Sequence, residues 1–140
     1  MLIEHKLSNV SKIGESNLIG NYIFFKNIST DTRAISKGDI FLALGGPNYD
    51  GHDFINEAFD KGASCVISEK DLTGKTYIKT ENNFLFLEKL ANFQRSKFKK
   101  HIIAITGSNG KTSTKEILFQ IIHGLYEKKD CVFKSPGNWN

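Results

Sequence analysis

Between His101 and Leu125 a β-type apolar run, a glycine-bearing loop and an amphipathic helical pattern follow one another without interruption, and this order restricts the chain to an α/β architecture. His101-Ile102-Ile103-Ala104-Ile105 reads as a buried strand. From Lys111 to about Lys128, Ile117, Leu118, Ile121, Ile122 and Leu125 form a continuous stripe at helical spacing. Cys131-Val132-Phe133 reads as the next parallel strand, which completes one βαβ crossover. One crossover cannot cover both faces of a sheet, so this second unit is expected to be incomplete at Asn140.

The preceding residues predict a separate, smaller α/β unit, with the division near residue 80 (1–80 and 81–140). Tyr22-Ile23-Phe24-Phe25, Asp39 to Leu44, Ser64 to Ile67 and Thr76 to Lys79 read as strands. Phe54, Ile55, Ala58 and Phe59 mark one face of a helix from Asp53 to Lys61, with Asp53 as N-cap and Gly62 as C-cap. Phe84, Leu87, Leu90, Ala91 and Phe98 recur at helical spacing, and the run Lys97-Phe98-Lys99-Lys100-His101 falls where cations complement a helix end. The first 20 residues show no clear period.

The segment Thr106-Gly107-Ser108-Asn109-Gly110-Lys111-Thr112 carries the chemistry. Phosphate binding needs glycines that let backbone N–H groups approach oxygen closely, a helix N-terminus aimed at the negative charge, and a lysine for the outer phosphates. Gly107, Gly110 and Lys111 supply these in order, and the hydroxyl of Thr112 is placed to ligate Mg²⁺. Ile105 stands where the pattern G-x-x-x-x-G-K-[ST] has its first glycine, so the strand-loop-helix context carries the assignment. The competing reading is a glycine-rich turn with an accidental lysine.

The net charge of +4, from 19 basic and 15 acidic residues, suits phosphate-bearing small molecules, and the basic stripe with interleaved aromatics that favours nucleic acid is missing. Cys65 and Cys131 lie in apolar runs without metal-ligand spacing and read as core residues in a reducing compartment. No run of about 18 apolar residues occurs, which leads to the expectation of a cytoplasmic protein without a membrane span.

The loop also fits the form T-G-[ST]-x-G-K-[ST], and with it the chain resembles the Mur ligases, ATP-dependent amide-forming enzymes of peptidoglycan synthesis. Ser29-Thr30-Asp31-Thr32-Arg33, Gly38 to Leu44 and Asp50-Gly51-His52-Asp53-Phe54-Ile55 resemble the family's first-domain segments, so the likeness spans about residues 28 to 140. Thr114-Lys115-Glu116 and Gly137-Asn138-Trp139-Asn140 look most like the branch that adds D-alanyl-D-alanine to the UDP-N-acetylmuramoyl tripeptide. The branch that adds the third amino acid shares the loop and the first domain.

The resemblance implies ATP and Mg²⁺ at Gly107, Ser108, Asn109, Gly110, Lys111, Thr112 and Ser113, with Lys111 as the catalytic cation and Thr112 as the metal ligand. It implies that Thr30, Thr32, Pro47, Asn48 and Tyr49 hold the UDP end of the substrate. Structural readings stand beside these: Asp31 and Arg33 as a pair across a turn, Tyr49 as a core cap, His52 as a packing residue, and His123 as surface decoration. The family's amine-binding domain and further metal ligands correspond to sequence beyond Asn140, so this chain alone is expected to form no amide. A non-catalytic nucleotide-binding module and a different phosphate-loop enzyme, such as a small kinase, are the alternatives. Exposed apolar faces at Phe84, Leu87, Ile117 and Ile121 would invite self-association.

Overall fold

In the computed structural model, which describes residues 6–21, 24–126 and 132–137, the chain divides into Met1–Lys99 and Lys100–Asn140. The first unit is built on a sheet of five strands, β1 (Asn17–Ile19), β2 (Ile28–Ser29), β3 (Ile40–Leu42), β4 (Cys65–Ser68) and β5 (Tyr77–Lys79), in the order β1-β5-β4-β3-β2. β2 to β5 pair in parallel and β1 closes one edge antiparallel to β5.

Strands buried on both faces need apolar residues at every position, which is why the Ile40-Phe41-Leu42 and Cys65-Val66-Ile67 runs become β3 and β4. Register divides their side chains between two layers. Ile40, Leu42, Cys65, Ile67 and Ile78 join Leu7, Val10, Phe86 and Leu90 on one face. Phe41, Val66 and Tyr77 join Ile55, Ala58 and Ala63 on the other. The first face is therefore covered by α1 (Leu7–Ile13) and α3 (Asn83–Lys97), and the second by α2 (Ile55–Asp60). Cys65 lies in this core, where burial pushes its thiol up to about 12 and leaves it inert at neutral pH.

Several expectations are corrected. The first 20 residues contain α1 and β1, and the repeat Leu7, Val10, Ile13 is the signal behind the helix. In the expected strand at 22–25, Tyr22 and Ile23 lie outside the described residues; Phe24 makes an isolated bridge to Lys6, and Phe25 is buried outside any strand. Asp53 does not cap the following helix. A 3₁₀ turn, Gly51–Phe54, precedes α2, and Asp50 caps that turn by accepting from the His52 backbone N–H. Gly62, at φ 97°, does end α2.

The first unit also runs through Lys99 and not to residue 80, because α3 buries Asn83, Phe86 and Leu90 in it. Phe84 and Leu87 are exposed, as expected, and Leu90 of the helical repeat is buried, but the large side chain that enters the core beside it is Phe86, which the repeat did not include. The helix does end at Lys97 with Arg95 and Lys97 in its last turn.

In the second unit, α4 (Lys111–Leu125) forms as expected, but the described residues of this unit contain no strand. A strand exists only as a member of a ladder, and 101–105 find no ladder partner among the described residues; Ile102 and Ile103 are exposed. Of the expected strand at 131–133, Cys131 lies outside the described residues, and Val132 and Phe133 are unpaired in any sheet. Ile117, Ile121 and Leu125 are exposed along α4.

Gly51 carries a testable constraint. A Cβ there would stand 2.6 Å from the Leu44 carbonyl oxygen and 2.8 Å from its nitrogen. Both are backbone atoms, so the loop itself must move. Gly51→Ala is expected to cost about 1–3 kcal/mol, read as a lower urea midpoint at unchanged slope; an unchanged midpoint would refute the close approach.

Candidate functional site

In parallel sheets, ligands bind beyond the carboxyl ends of the strands, where loops converge. The segments leaving β2, β3, β4 and β5 at that edge are Thr30–Arg33, Ala43–His52, Glu69–Lys70 and Thr80–Asn83. All five residues expected to meet the UDP end, Thr30, Thr32, Pro47, Asn48 and Tyr49, therefore lie in loops of this edge. Thr30, Pro47, Asn48 and Tyr49 are exposed, and Tyr49 is too open to cap a core. Their turn is closed by Gly46 N–H donating to the Tyr49 carbonyl at 2.8 Å and by a Gly45–Asp50 bridge. Thr32 differs: it is buried, and its hydroxyl donates to Glu57 Oε1 at 3.0 Å.

Asp31 and Arg33 form the pair across a turn. Arg33 Nη2 donates to Asp31 Oδ2 at 2.7 Å and Arg33 Nε to Oδ1 at 2.9 Å, while Asp31 Oδ1 also accepts the Arg33 backbone N–H. The guanidinium, and after it that N–H, lower the Asp31 carboxyl from 3.8 to about 2. A depressed carboxylate favours the paired form above its ordinary range, and the preference is lost as pH falls through about 2. Carboxyl NMR titration is expected to place the Asp31 midpoint near 2, and Arg33→Ala to raise it without full return to 3.8, because the backbone N–H remains. A midpoint that ignored the substitution would contradict the pairing.

A depression of about 530 Å³ at the same edge is lined by Gly45, Gly46, Asp50, His52, Glu69 and Lys70. His52 is fixed there on both ring nitrogens. Its Nδ1 is 2.6 Å from Asp50 Oδ1, and its Nε2 accepts the Glu69 backbone N–H at 3.1 Å. An accepting Nε2 makes the ring the neutral tautomer with its proton on Nδ1, so His52 is a brace between two loops and not a base. Asp50 also holds Lys70 Nζ at 2.9 Å, and the His52 backbone N–H, then Lys70, keep its carboxyl well below the usual range.

Beneath these loops Asn83 is fully buried. It donates to the Ala43 carbonyl at 2.5 Å, accepts from Thr80 Oγ1 at 2.5 Å, and gives its backbone N–H to Glu69 Oε1 at 2.7 Å. Asn83 thus ties together the chain leaving β3, β4 and β5. The sequence reading missed Asp50, Glu69, Lys70 and Asn83. Asp50 had a signal, an Asp two residues before the N–H it caps; the others had none.

The second unit carries the loop. Gly107 and Gly110 hold φ of 152° and 76°, and Gly110 is the left-handed residue from which α4 starts. A Cβ at Gly110 would meet nothing within 4 Å, so its φ and not crowding calls for glycine. No side chain caps α4 at Gly110, which suits an anion at that end. Lys111 Nζ folds back onto the loop, donating to the Gly107 carbonyl at 2.7 Å. Ser108, Asn109, Thr112 and Ser113 are exposed around it. No group of three or more His, Cys, Asp or Glu able to hold a metal exists among the described residues. His123 is half-buried against Phe119, with ring centroids 5.2 Å apart, and so is a packing residue more than surface decoration.

Residues 25–97, just over half of the chain, match the model of the Mur ligase family, catalytic domain. This chain belongs to the Mur ligase family. It is 42% identical over 125 residues to the UDP-N-acetylmuramoyl-tripeptide–D-alanyl-D-alanine ligase of Rickettsia prowazekii, an alignment that covers 87% of this chain and 27% of the relative. It is 38% identical over 104 residues to the UDP-N-acetylmuramoyl-L-alanyl-D-glutamate–2,6-diaminopimelate ligase of Clostridioides difficile, covering 71% of this chain and 22% of the relative. The MurF ligase of Thermotoga maritima, solved in complex with ADP, superposes with a TM-score of 0.69 at 37% identity, covering 82% of this chain and 26% of that one.

The chain spans about a quarter of the length of these Mur ligases. The family match lies in the first unit and stops short of the loop at 106–112. No helix among the described residues is long and apolar enough to cross a membrane.

Proposed function

We propose that this chain is the N-terminal part of a ligase that joins D-alanyl-D-alanine to UDP-N-acetylmuramoyl tripeptide, with the UDP end held by the first unit and ATP by the loop of the second. The loop geometry supports this reading most: a left-handed Gly110 opens a helix of 15 residues, and Lys111 folds over the loop with its ammonium on a carbonyl that a phosphate oxygen can replace. The ADP complex of the Thermotoga relative favours the same nucleotide.

The reaction assigned to the longer protein has two steps. A carboxylate oxygen of the tripeptide attacks the γ-phosphorus of ATP and ADP leaves, giving an acyl phosphate. The dipeptide amine then attacks the carbonyl carbon, the C–N bond forms, and phosphate departs as the amine loses its proton. Lys111 neutralises charge on the transferred phosphoryl group, and loop N–H groups orient it. The Thr112 hydroxyl, together with the phosphates, would hold Mg²⁺, which would supply a second positive centre. The likeness to the diaminopimelate ligase supports a second reading, in which the acceptor is the dipeptide and the incoming group a single amino acid.

Calorimetric titration of this chain with MgATP and, separately, with UDP-N-acetylmuramoyl tripeptide tests the reading. Both are expected to bind, with no amide formed from the full substrate set. Binding of MgATP alone would favour another nucleotide enzyme, and binding of neither would sink the proposal. A preference for the UDP-linked dipeptide would move it to the second reading.

A further inference from the structure

Thr114-Lys115-Glu116 and Gly137-Asn138-Trp139-Asn140 mark the ligase branch in the sequence, and Lys115 of the first reaches Gly137, where the second begins. Lys115 Nζ donates to the Ser135 carbonyl at 2.9 Å and to the Gly137 carbonyl at 2.6 Å. The neighbouring Glu116 pairs with Lys134, whose ammonium also sits 4.7 Å from the centre of the Phe119 ring. The Lys115 side chain is only 17% exposed. An ammonium withdrawn that far from water and given two carbonyls is fixed in place, because few waters could replace them.

The turn is shaped to receive it. Pro136 fixes its own φ and Gly137 holds φ 62°, and the carbonyls on either side of the proline meet on one cation. Helical side chains lean toward the N-terminus of their helix. Lys115 stands one turn after Lys111, so a side chain leaning that way directs its two carbonyl partners toward the first turn of α4, the end at which the phosphate loop enters. The two lysines contrast: Lys111 holds one carbonyl of its own loop, and Lys115 holds two carbonyls of a segment 20 and 22 residues away.

We infer that Lys115 and Glu116 form a clamp that sets the Lys134–Gly137 turn as a side wall of the outer-phosphate site, with Lys115 as a positioning residue. The inference rests on the reading of 106–112 as a nucleotide site. Lys115→Met and Glu116→Gln, made in this whole chain, test it through amide hydrogen exchange at Lys134, Ser135 and Gly137 without nucleotide and through MgATP affinity.

Lys115→Met is expected to speed exchange at the turn and to weaken MgATP about tenfold, the scale of a lost charge-assisted hydrogen bond. Glu116→Gln separates positioning from charge. It removes a negative group near the site, so charge alone would tighten MgATP, whereas a loosened wall weakens it. Lys111→Met is expected to weaken MgATP while leaving exchange at the turn unchanged. Unchanged exchange in Lys115→Met, or tighter MgATP in Glu116→Gln, would overturn the clamp. A wild-type chain that bound no MgATP would overturn the nucleotide reading and the wall with it, while the exchange result would still report separately on whether Lys115 holds the turn.

Discussion

Lys111→Met is expected to weaken MgATP binding to this chain between about 10- and 100-fold, the range set by a charged hydrogen bond to a phosphate. Lys111 is the sole cation between Thr106 and Thr112, so no neighbour in the loop can substitute for it. Its ammonium lies 2.7 Å from the Gly107 carbonyl, and a bound phosphate would exchange that neutral acceptor for an ionised one. Methionine keeps the length and apolar stem of the side chain, so the thermal midpoint is expected to stay within a few degrees. Wild-type affinity in the variant would remove the phosphate-loop reading. For the ligase reaction proposed above, the same change is expected to reduce turnover on the order of 10²–10³-fold, because charge on the transferring phosphoryl group exceeds that in the ground state.

The conformation of 106–112 and the start of the helix after it were legible because both are set locally. Glycines at positive φ, a lysine at the first helical position and an apolar stripe after it are all properties of consecutive residues. The strand expected before the loop was not, since Ile102 and Ile103 become a strand only beside partners the described chain does not supply. At the carboxyl edge of the first unit, the sequence located the loops but not their bracing. Glu69 and Asn83 meet there across 14 residues, and Asn83 reaches the Ala43 carbonyl across 40. No pattern of neighbours encodes such contacts. The Lys115 clamp was half legible: Lys115, Glu116 and Gly137 stood in conspicuous segments, whereas Lys134 and Ser135 did not, and the contact was visible only in the fold.

Phe86→Ala is expected to cost the first unit about 3–5 kcal/mol, whereas Phe84→Ala, two residues earlier, should cost under about 1 kcal/mol. Phe84, Leu85, Phe86 and Leu87 are four apolar residues in a row, so the pattern establishes a helix without establishing its phase. A polar residue resolves it. Asn83 is drawn inward by its bonds to Ala43 and Thr80, and the residues three and seven places on, Phe86 and Leu90, are then carried into the core. Phe86 is 2% exposed and Phe84 is 56% exposed. The Phe86 ring also fills the space where a Cβ on Gly14 would sit, 2.1 Å from its nearest atom, so its removal opens a cavity between α1 and α3. A domain of this size has a total stability of about 5–15 kcal/mol, so the loss at Phe86 is a large share of it. Urea unfolding of both variants should show the Phe86 midpoint falling far below that of Phe84. Equal shifts would mean that the helix is rotated from the phase Asn83 sets, and the bracing of the carboxyl edge through Asn83 would fall with it.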